Sequence, residues 1–139
     1  MQRYRSRLSG PLLDRIDIHL EVPAVPVREM LEQSSGESSA TIRARVNQAR
    51  ARQRNRFAAS PRLYCNAQMS AKEVKRFCHL DQASTDLLHQ SITRLGLSAR
   101  AYHRIIKIAL TIADLAGSPQ PQLSHLAEAI QYRRSQFEL

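Results

Sequence analysis

The longest apolar segment of the chain is a helical pattern between residues 95 and 117. At 100° per residue, its apolar positions cover well over half of the helix circumference and leave one polar stripe. This stripe consists of Arg100, His103, Arg104, Lys107 and Asp114. Ser98 can cap the helix and Gly117 can end it. The pattern predicts a central helix that is packed on several sides.

Four further helical patterns accompany this central helix. One runs from residue 39 to about residue 57, and a short helix follows a cap at Ser70. The segment 82–95 forms an amphipathic helix, and Ser124 is the expected cap of the last helix. Helices therefore dominate, and the predicted fold class is mainly α.

Only one stretch alternates with the period of a β-strand. Its apolar positions are Ile16, Ile18, Leu20 and Val22, and Pro23 closes it. A single strand leaves its backbone donors and acceptors unpaired, so we expect its sheet to lie upstream or on another chain. These 139 residues then read as the C-terminal piece of something longer. In this chain alone, the strand is expected to be disordered, detached or paired with a symmetry mate.

Composition divides the chain into three parts. Residues 1–23 hold the strand, and residues 24–38 have the Pro, Gly and Ser content of a linker. Residues 39–139 hold the helices. We therefore predict one helical domain preceded by a short strand-bearing remnant.

The chain is strongly basic. Lys and Arg number 21 against 12 Asp and Glu, which gives a formal net charge of +9. This charge suits a polyanion such as nucleic acid or nucleotide phosphates, or an acidic protein surface. Two cysteines cannot form a disulfide framework in a chain of this size, and no apolar run approaches a membrane span or a signal-peptide core. We expect a soluble, cytoplasmic protein.

Arginines flank both edges of the apolar stripe of the helix at 39–57. One edge carries Arg43, Arg50 and Arg54, and the other carries Arg45, Arg52 and Arg56. Such a surface could contact a phosphate backbone. Alternatively, the arginine stems cover the core while their charged ends stay in water or meet acidic residues elsewhere.

Arg100 stands out because it lies in the first turn of the central helix. The positive end of the helix dipole disfavours another cation there and favours a bound anion, so a phosphate or carboxylate partner is indicated. The alternative is contact with a nearby Glu or with solvent. Cys65, Cys78 and the histidines lack the spacing of a metal site, so no metal is predicted.

Four motifs carry a resemblance to a known family. They are SGPLLDRIDIHLEV at residues 9–22, GESSATIRAR at 36–45, NAQMS at 66–70 and LGLSARAY at 95–102. In this order they resemble the C-terminal part of the Mg-chelatase-like AAA+ ATPases, in the ComM/YifB competence-protein group. The resemblance implies a helical lid bundle over residues 39–139, preceded by a short strand remnant of the α/β AAA+ core at residues 1–23.

The resemblance also implies roles for two arginines. Arg15, in the turn before the strand, looks like the arginine finger that acts on a neighbouring subunit. Arg100 looks like the sensor-2 arginine, which contacts the nucleotide of its own subunit. A guanidinium offers fixed donors to the charge that develops on a transferred phosphoryl group. Pairing with Asp14 or Asp17 is the structural alternative for Arg15.

Further expectations follow from the same resemblance. The full-length parent would use ATP and Mg²⁺. The partners of this chain would be its own N-terminal AAA+ core and the neighbouring subunits of a ring, which is expected to be a homo-hexamer. The ring would act on DNA as a branch-migrating helicase in natural transformation. This chain has no GxxxxGK[ST] loop, so it should bind no cofactor and hydrolyse no ATP alone. The alternatives are a magnesium-chelatase motor subunit, a stand-alone basic DNA-binding module and a purely structural lid.

Overall fold

The computed structural model describes residues 15–20, 22–25 and 36–134, and within them it is mainly helical, as predicted. The helices are α1 (Ser39–Arg56), α2 (Ala71–Phe77), α3 (Gln82–Leu95), α4 (Ala99–Ala116) and α5 (Leu123–Arg134), with a 3₁₀ turn at Asn66–Gln68 between α1 and α2. Most of the predicted linker, like the chain before Arg15, lies outside the described residues.

Helix α4 is the centre of the bundle, which confirms the prediction from its apolar pattern. It packs against α1, the 3₁₀ turn, α2 and α5, while α3 packs against α5. Ile105, Ala109 and Leu110 on α4 are fully buried, as are Leu88 on α3 and Leu126 on α5. Because α4 is held on several sides, its two ends have fixed positions in the bundle.

Side-chain caps and left-handed glycines set the ends of the helices. The Ser98 hydroxyl accepts from the Ala101 amide, and Gly117 ends α4 with a φ of 79°. Ser70 and Glu73 form a capping box at the start of α2. These local signals were readable from the sequence, and the structure confirms the predicted caps at Ser70 and Ser98.

The start of α5 differs from the prediction. The helix begins at Leu123, one residue before the expected Ser124 cap. The Gln122 amide donates to Nδ1 of His125, at 3.0 Å. The imidazole of His125 therefore satisfies an amide at this helix end, a function that the sequence pattern assigned to a serine.

Asp114 is buried, which corrects the prediction that it belongs to the polar stripe of α4. Its carboxylate is buried and accepts two hydrogen bonds from Arg56, at 2.5 and 2.9 Å. Asn66 donates a third, at 2.9 Å, and also bonds the Thr111 hydroxyl. This buried polar cluster joins α1, the 3₁₀ turn and α4.

The described residues 15–20 are extended or turn-like and form no β-strand. A strand needs a hydrogen-bonded neighbour, and here the segment meets helices instead. The expectation that it would be disordered or detached is therefore wrong for these residues, and pairing with a symmetry mate stays a prediction. The His19 amide donates to the Tyr132 carbonyl at 3.0 Å, so the segment docks on α5.

Candidate functional site

Arg100 is the second residue of α4, and its side chain is exposed. The Ser98 hydroxyl satisfies one amide of this first turn, at 3.2 Å from the Ala101 nitrogen. Gly96, with a φ of 58°, ends α3 and turns the chain toward α4. The αL glycine and the serine cap thus fix the backbone of Arg100, and they leave its guanidinium at the surface of the bundle.

Arg15 lies in a turn and is also exposed. Its carbonyl oxygen accepts a hydrogen bond of 2.5 Å from Nη1 of Arg104. The same nitrogen of Arg104 donates to the Asp17 carboxylate and forms an ion pair with it. Asp17 is therefore engaged by Arg104, which weakens the idea that it pairs with Arg15, and Asp14 lies outside the described residues.

The structure brings the turn of Arg15 beside the helix that carries Arg100. Arg104 follows Arg100 by four residues, about one helical turn or 6 Å along the axis. The sequence placed Arg104 on a polar stripe but gave it no role, because its partner Asp17 is 87 residues away. Only the tertiary fold shows that the turn of Arg15 is bonded to α4 at Arg104, one helical turn after Arg100.

An apolar groove lies between the 15–20 segment and the bundle. It has a volume of about 450 Å³, and its apolar lining includes Ile18, Leu20 and Leu115. Lys107 also lines it and donates to the Ala67 carbonyl at 2.9 Å. Partial burial lowers the pKa of Lys107. The groove offers mainly apolar contacts and differs in chemistry from the exposed arginines nearby.

Five of the six arginines predicted on α1 are exposed: Arg43, Arg45, Arg50, Arg52 and Arg54. Arg45 donates two hydrogen bonds to the Glu37 carboxylate in a bidentate ion pair, at 2.7 and 3.0 Å. Arg50 donates to the Gln53 side chain at 3.1 Å. This exposed set, called the α1 arginine face below, leaves guanidinium groups accessible to a polyanion.

Arg56 does not belong to that face, which corrects the prediction for this residue. Its side chain is only 12% exposed and binds the fully buried carboxylate of Asp114. It also donates to Oδ1 of Asn66, at 2.8 Å. Arg56 therefore holds the helices together and is not available to a phosphate backbone.

The described residues contain no group of three or more His, Cys, Asp or Glu side chains that could hold a metal ion. Cys65 and Cys78 are free thiols, and burial raises the pKa of Cys78 to about 11. The described part of the chain also has no helix that is both long and apolar enough to cross a membrane.

Two family models match the chain. The first, described as "Magnesium chelatase, subunit ChlI C-terminal", covers residues 36–133. The second, described as "Magnesium chelatase, subunit ChlI", covers residues 1–30. The first match spans all five helices up to Arg133, and the second includes the turn of Arg15.

Full-length relatives give the same result. The chain is 42% identical over 134 residues to the competence protein ComM of Haemophilus influenzae and 43% identical over 133 residues to the uncharacterized protein YifB of Escherichia coli. These alignments cover 96% and 94% of the chain but only 25% of each relative. An uncharacterized protein of Mycobacterium tuberculosis is 31% identical over 96% of the chain and 26% of its own length. The chain spans about a quarter of the relatives it matches, and it belongs to the magnesium chelatase ChlI C-terminal family.

Proposed function

We propose that this chain is the C-terminal lid region of an AAA+ ATPase that couples ATP binding and hydrolysis to the remodelling of DNA in the cytoplasm. By analogy with the relative named as a competence protein, the remodelling would be branch migration during natural transformation. The observation that carries the proposal is the position of Arg100, which is exposed in the first turn of the central helix.

The chemistry of Arg100 supports a phosphate ligand. A guanidinium donates several parallel hydrogen bonds, and the dipole of a helix N-terminus adds positive potential at the same place. The γ-phosphate of ATP suits this combination, and its loss on hydrolysis would change the contacts of α4. In this proposal Arg100 binds the nucleotide of its own subunit.

Arg15 would act on the next subunit of a ring, for which we propose six copies. Its exposed side chain lies in a turn whose backbone is held by Arg104. Such a guanidinium can stabilise the negative charge that develops during phosphoryl transfer. Guanidinium groups are hydrogen-bond donors and suit the phosphates of ATP, whereas Mg²⁺ requires oxygen ligands. We assign these oxygen ligands and the phosphate-binding loop to the AAA+ core of the parent.

The test uses the full-length parent and measures its ATPase rate with and without branched DNA. The variants are Arg15→Ala and Arg100→Ala, with Arg62→Ala as the matched control because Arg62 is an exposed loop arginine. We expect both test variants to lose about 10³-fold or more in kcat, and the control to stay near wild type. Mixing the two inactive proteins should restore part of the activity, since some interfaces then combine an intact Arg15 with an intact Arg100.

Wild-type ATPase activity in both test variants would refute the proposal. In that case the arginines are structural, and the α1 arginine face becomes the main candidate site.

That face supports a second candidate function, a basic DNA-binding module. We expect the triple variant Arg43→Ala, Arg50→Ala, Arg54→Ala to weaken duplex binding and to lower the salt dependence of the binding constant by about two to three units of slope. Alanine at Arg62, Arg76 and Arg94 gives a control with the same change in net charge. Equal effects of the two triple variants would show that general charge, rather than this face, binds the DNA.

The family name supports a third candidate, a magnesium-chelatase motor subunit. Stimulation of the parent ATPase separates the two motors. Branched DNA should raise the rate if the protein remodels DNA, whereas a porphyrin with its chelatase partner should raise it if the protein inserts metal.

A further inference from the structure

Main-chain hydrogen bonds at Arg15, Ile16 and His19 fasten the 15–20 segment to the bundle. Arg104 on α4 donates to the Arg15 carbonyl, and Arg133 on α5 donates to the Ile16 carbonyl, both at 2.5 Å. The His19 amide completes the set by donating to the Tyr132 carbonyl. Two neighbouring carbonyls are thus bound by guanidinium groups from two different helices.

Of these contacts, the one made by Arg104 bears most directly on Arg15. Its guanidinium donates both to the main chain of Arg15 and to the Asp17 carboxylate, so it spans the turn. Its side chain is 24% exposed, and that of Asp17 is 51% exposed. An exposed ion pair is weak, so the contact can hold the turn and still be released at low cost.

We propose that Arg104 is a positioning residue that couples Arg100 to Arg15. When the bundle shifts as a unit with the nucleotide bound at Arg100, Arg104 carries the Arg15 turn with it and so sets the position of Arg15 toward the neighbouring subunit. This inference rests on the proposed function, because it assigns the same site a means of communication between subunits.

Rigidity makes such coupling mechanically direct. Arg100 and Arg104 are one turn apart on a helix that is packed by four other elements, so they move together. Both acceptors are served by the two hydrogens of Arg104 Nη1, whose directions are fixed by the guanidinium plane, whereas the three hydrogens of a lysine ammonium rotate on a flexible stem. Arg104→Lys should therefore preserve the charge but not the fixed geometry of the contact.

The charged surroundings are consistent with a contact between Arg104 and Asp17. Lys107 lies about one turn further along α4, and its pKa is lowered chiefly by burial, while Asp17 raises it and Arg104 lowers it. Glu128 and Tyr132 face the same groove from α5, where Glu128 accepts a hydrogen bond from the Tyr132 hydroxyl at 2.7 Å. Asp17 is thus the acid of this groove that pairs with Arg104.

The first experiment tests the attachment itself by amide hydrogen exchange in the 139-residue chain. Arg104→Ala should speed exchange at the His19 amide about fivefold or more, while amides in the middle of α4 keep their rates. Arg94→Ala, an exposed arginine on α3, is the matched control and should change neither. Unchanged exchange at His19 in Arg104→Ala would overturn the proposal.

The second experiment measures the consequence in the full-length parent. Arg104→Ala and Arg104→Lys should lower kcat about tenfold to a hundredfold, because Arg15 is misplaced, while the Kd for ATP stays at the wild-type value. In rings mixed with Arg15→Ala subunits, the partner subunits supply the intact Arg15. Arg104→Ala partners should restore less activity than Arg100→Ala partners, because the Arg15 that they supply is misplaced.

The outcomes separate this inference from the proposed function. If Arg15→Ala is inactive but Arg104→Ala retains wild-type kcat, the coupling is refuted and the proposed function stands. If Arg15→Ala and Arg100→Ala both retain wild-type kcat, the proposed function and the coupling fail together. A weakened Kd for ATP in Arg104→Ala also overturns the proposal, since Arg104 would then support nucleotide binding itself.

Discussion

Two ion pairs of helix α4, each formed between residues that the structure describes, differ in burial. Toward its C-terminal end, Asp114 is 0% exposed at the side chain and pairs with Arg56, which is 12% exposed. Nearer its start, Arg104 is 24% exposed and pairs with Asp17, which is 51% exposed. Asn66 adds a hydrogen bond to the first pair, whereas a main-chain carbonyl adds one to the second.

The difference in burial determines what each pair can do. A buried charge that loses its partner is strongly unfavourable, so the Arg56 and Asp114 pair fixes α1 against α4. An exposed pair is screened by water and salt and contributes little to the free energy of unfolding. The first pair therefore makes the bundle rigid, and the second can attach a segment that still moves.

The largest predicted effect comes from breaking the buried pair. Among the described residues, Arg56→Ala leaves the buried Asp114 carboxylate with Asn66 as its remaining hydrogen-bond donor, so we expect a loss of about 3 to 5 kcal/mol in the free energy of unfolding. Urea denaturation of the chain measures this loss. Arg54→Ala is the matched control, since Arg54 is an exposed arginine two residues earlier on α1. A loss below about 1 kcal/mol would contradict the importance of burial.

Cys78 provides a smaller effect near the same pair. Burial raises the pKa of its thiol from 9.0 to about 11, with Arg56 lowering it and Asp114 raising it. The unfolded chain therefore ionises first, and stability contributed by the neutral thiol should be lost as the pH rises from 9 to 11. The loss is on the order of 2 kcal/mol, because one pKa unit corresponds to about 1.4 kcal/mol.

Urea denaturation at several pH values in this range, in a Cys65→Ala background, tests the prediction. Cys78→Ala serves as the reference because it retains every other titrating group. The prediction fails if the two proteins lose stability in parallel between pH 9 and pH 11.

The helices and several caps could be predicted because their signals are local. Ser70, with Glu73 three residues later, specifies the start of α2 within a single turn of chain. The apolar pattern around residues 95–117 likewise predicted the burial of α4. Neither inference required knowledge of which helices touch.

The partners of the charged residues could not be predicted in this way. Arg56 and Asp114 lie 58 residues apart, and each matches an amphipathic surface position in its own helix. The alternation at residues 16–22 predicted a strand, yet the described part of that segment bonds to α4 and α5. Long-range partners decided both cases, and the roles of Arg15 and Arg100 stay predictions from the resemblance.

The smallest predicted effect concerns the exposed pair and gives the sharpest comparison. A double-mutant cycle of Arg104→Ala and Asp17→Ala should give a coupling of about 0.2 to 1 kcal/mol at low salt. In about 1 M salt the Debye length falls to about 3 Å, so this coupling should largely disappear. The corresponding cycle of Arg56→Ala and Asp114→Ala should keep most of its larger coupling, because that pair is almost entirely buried. Equal sensitivity of the two couplings to salt would mean that both pairs are screened alike, and the distinction between a rigid bundle and a movable segment would then need another cause.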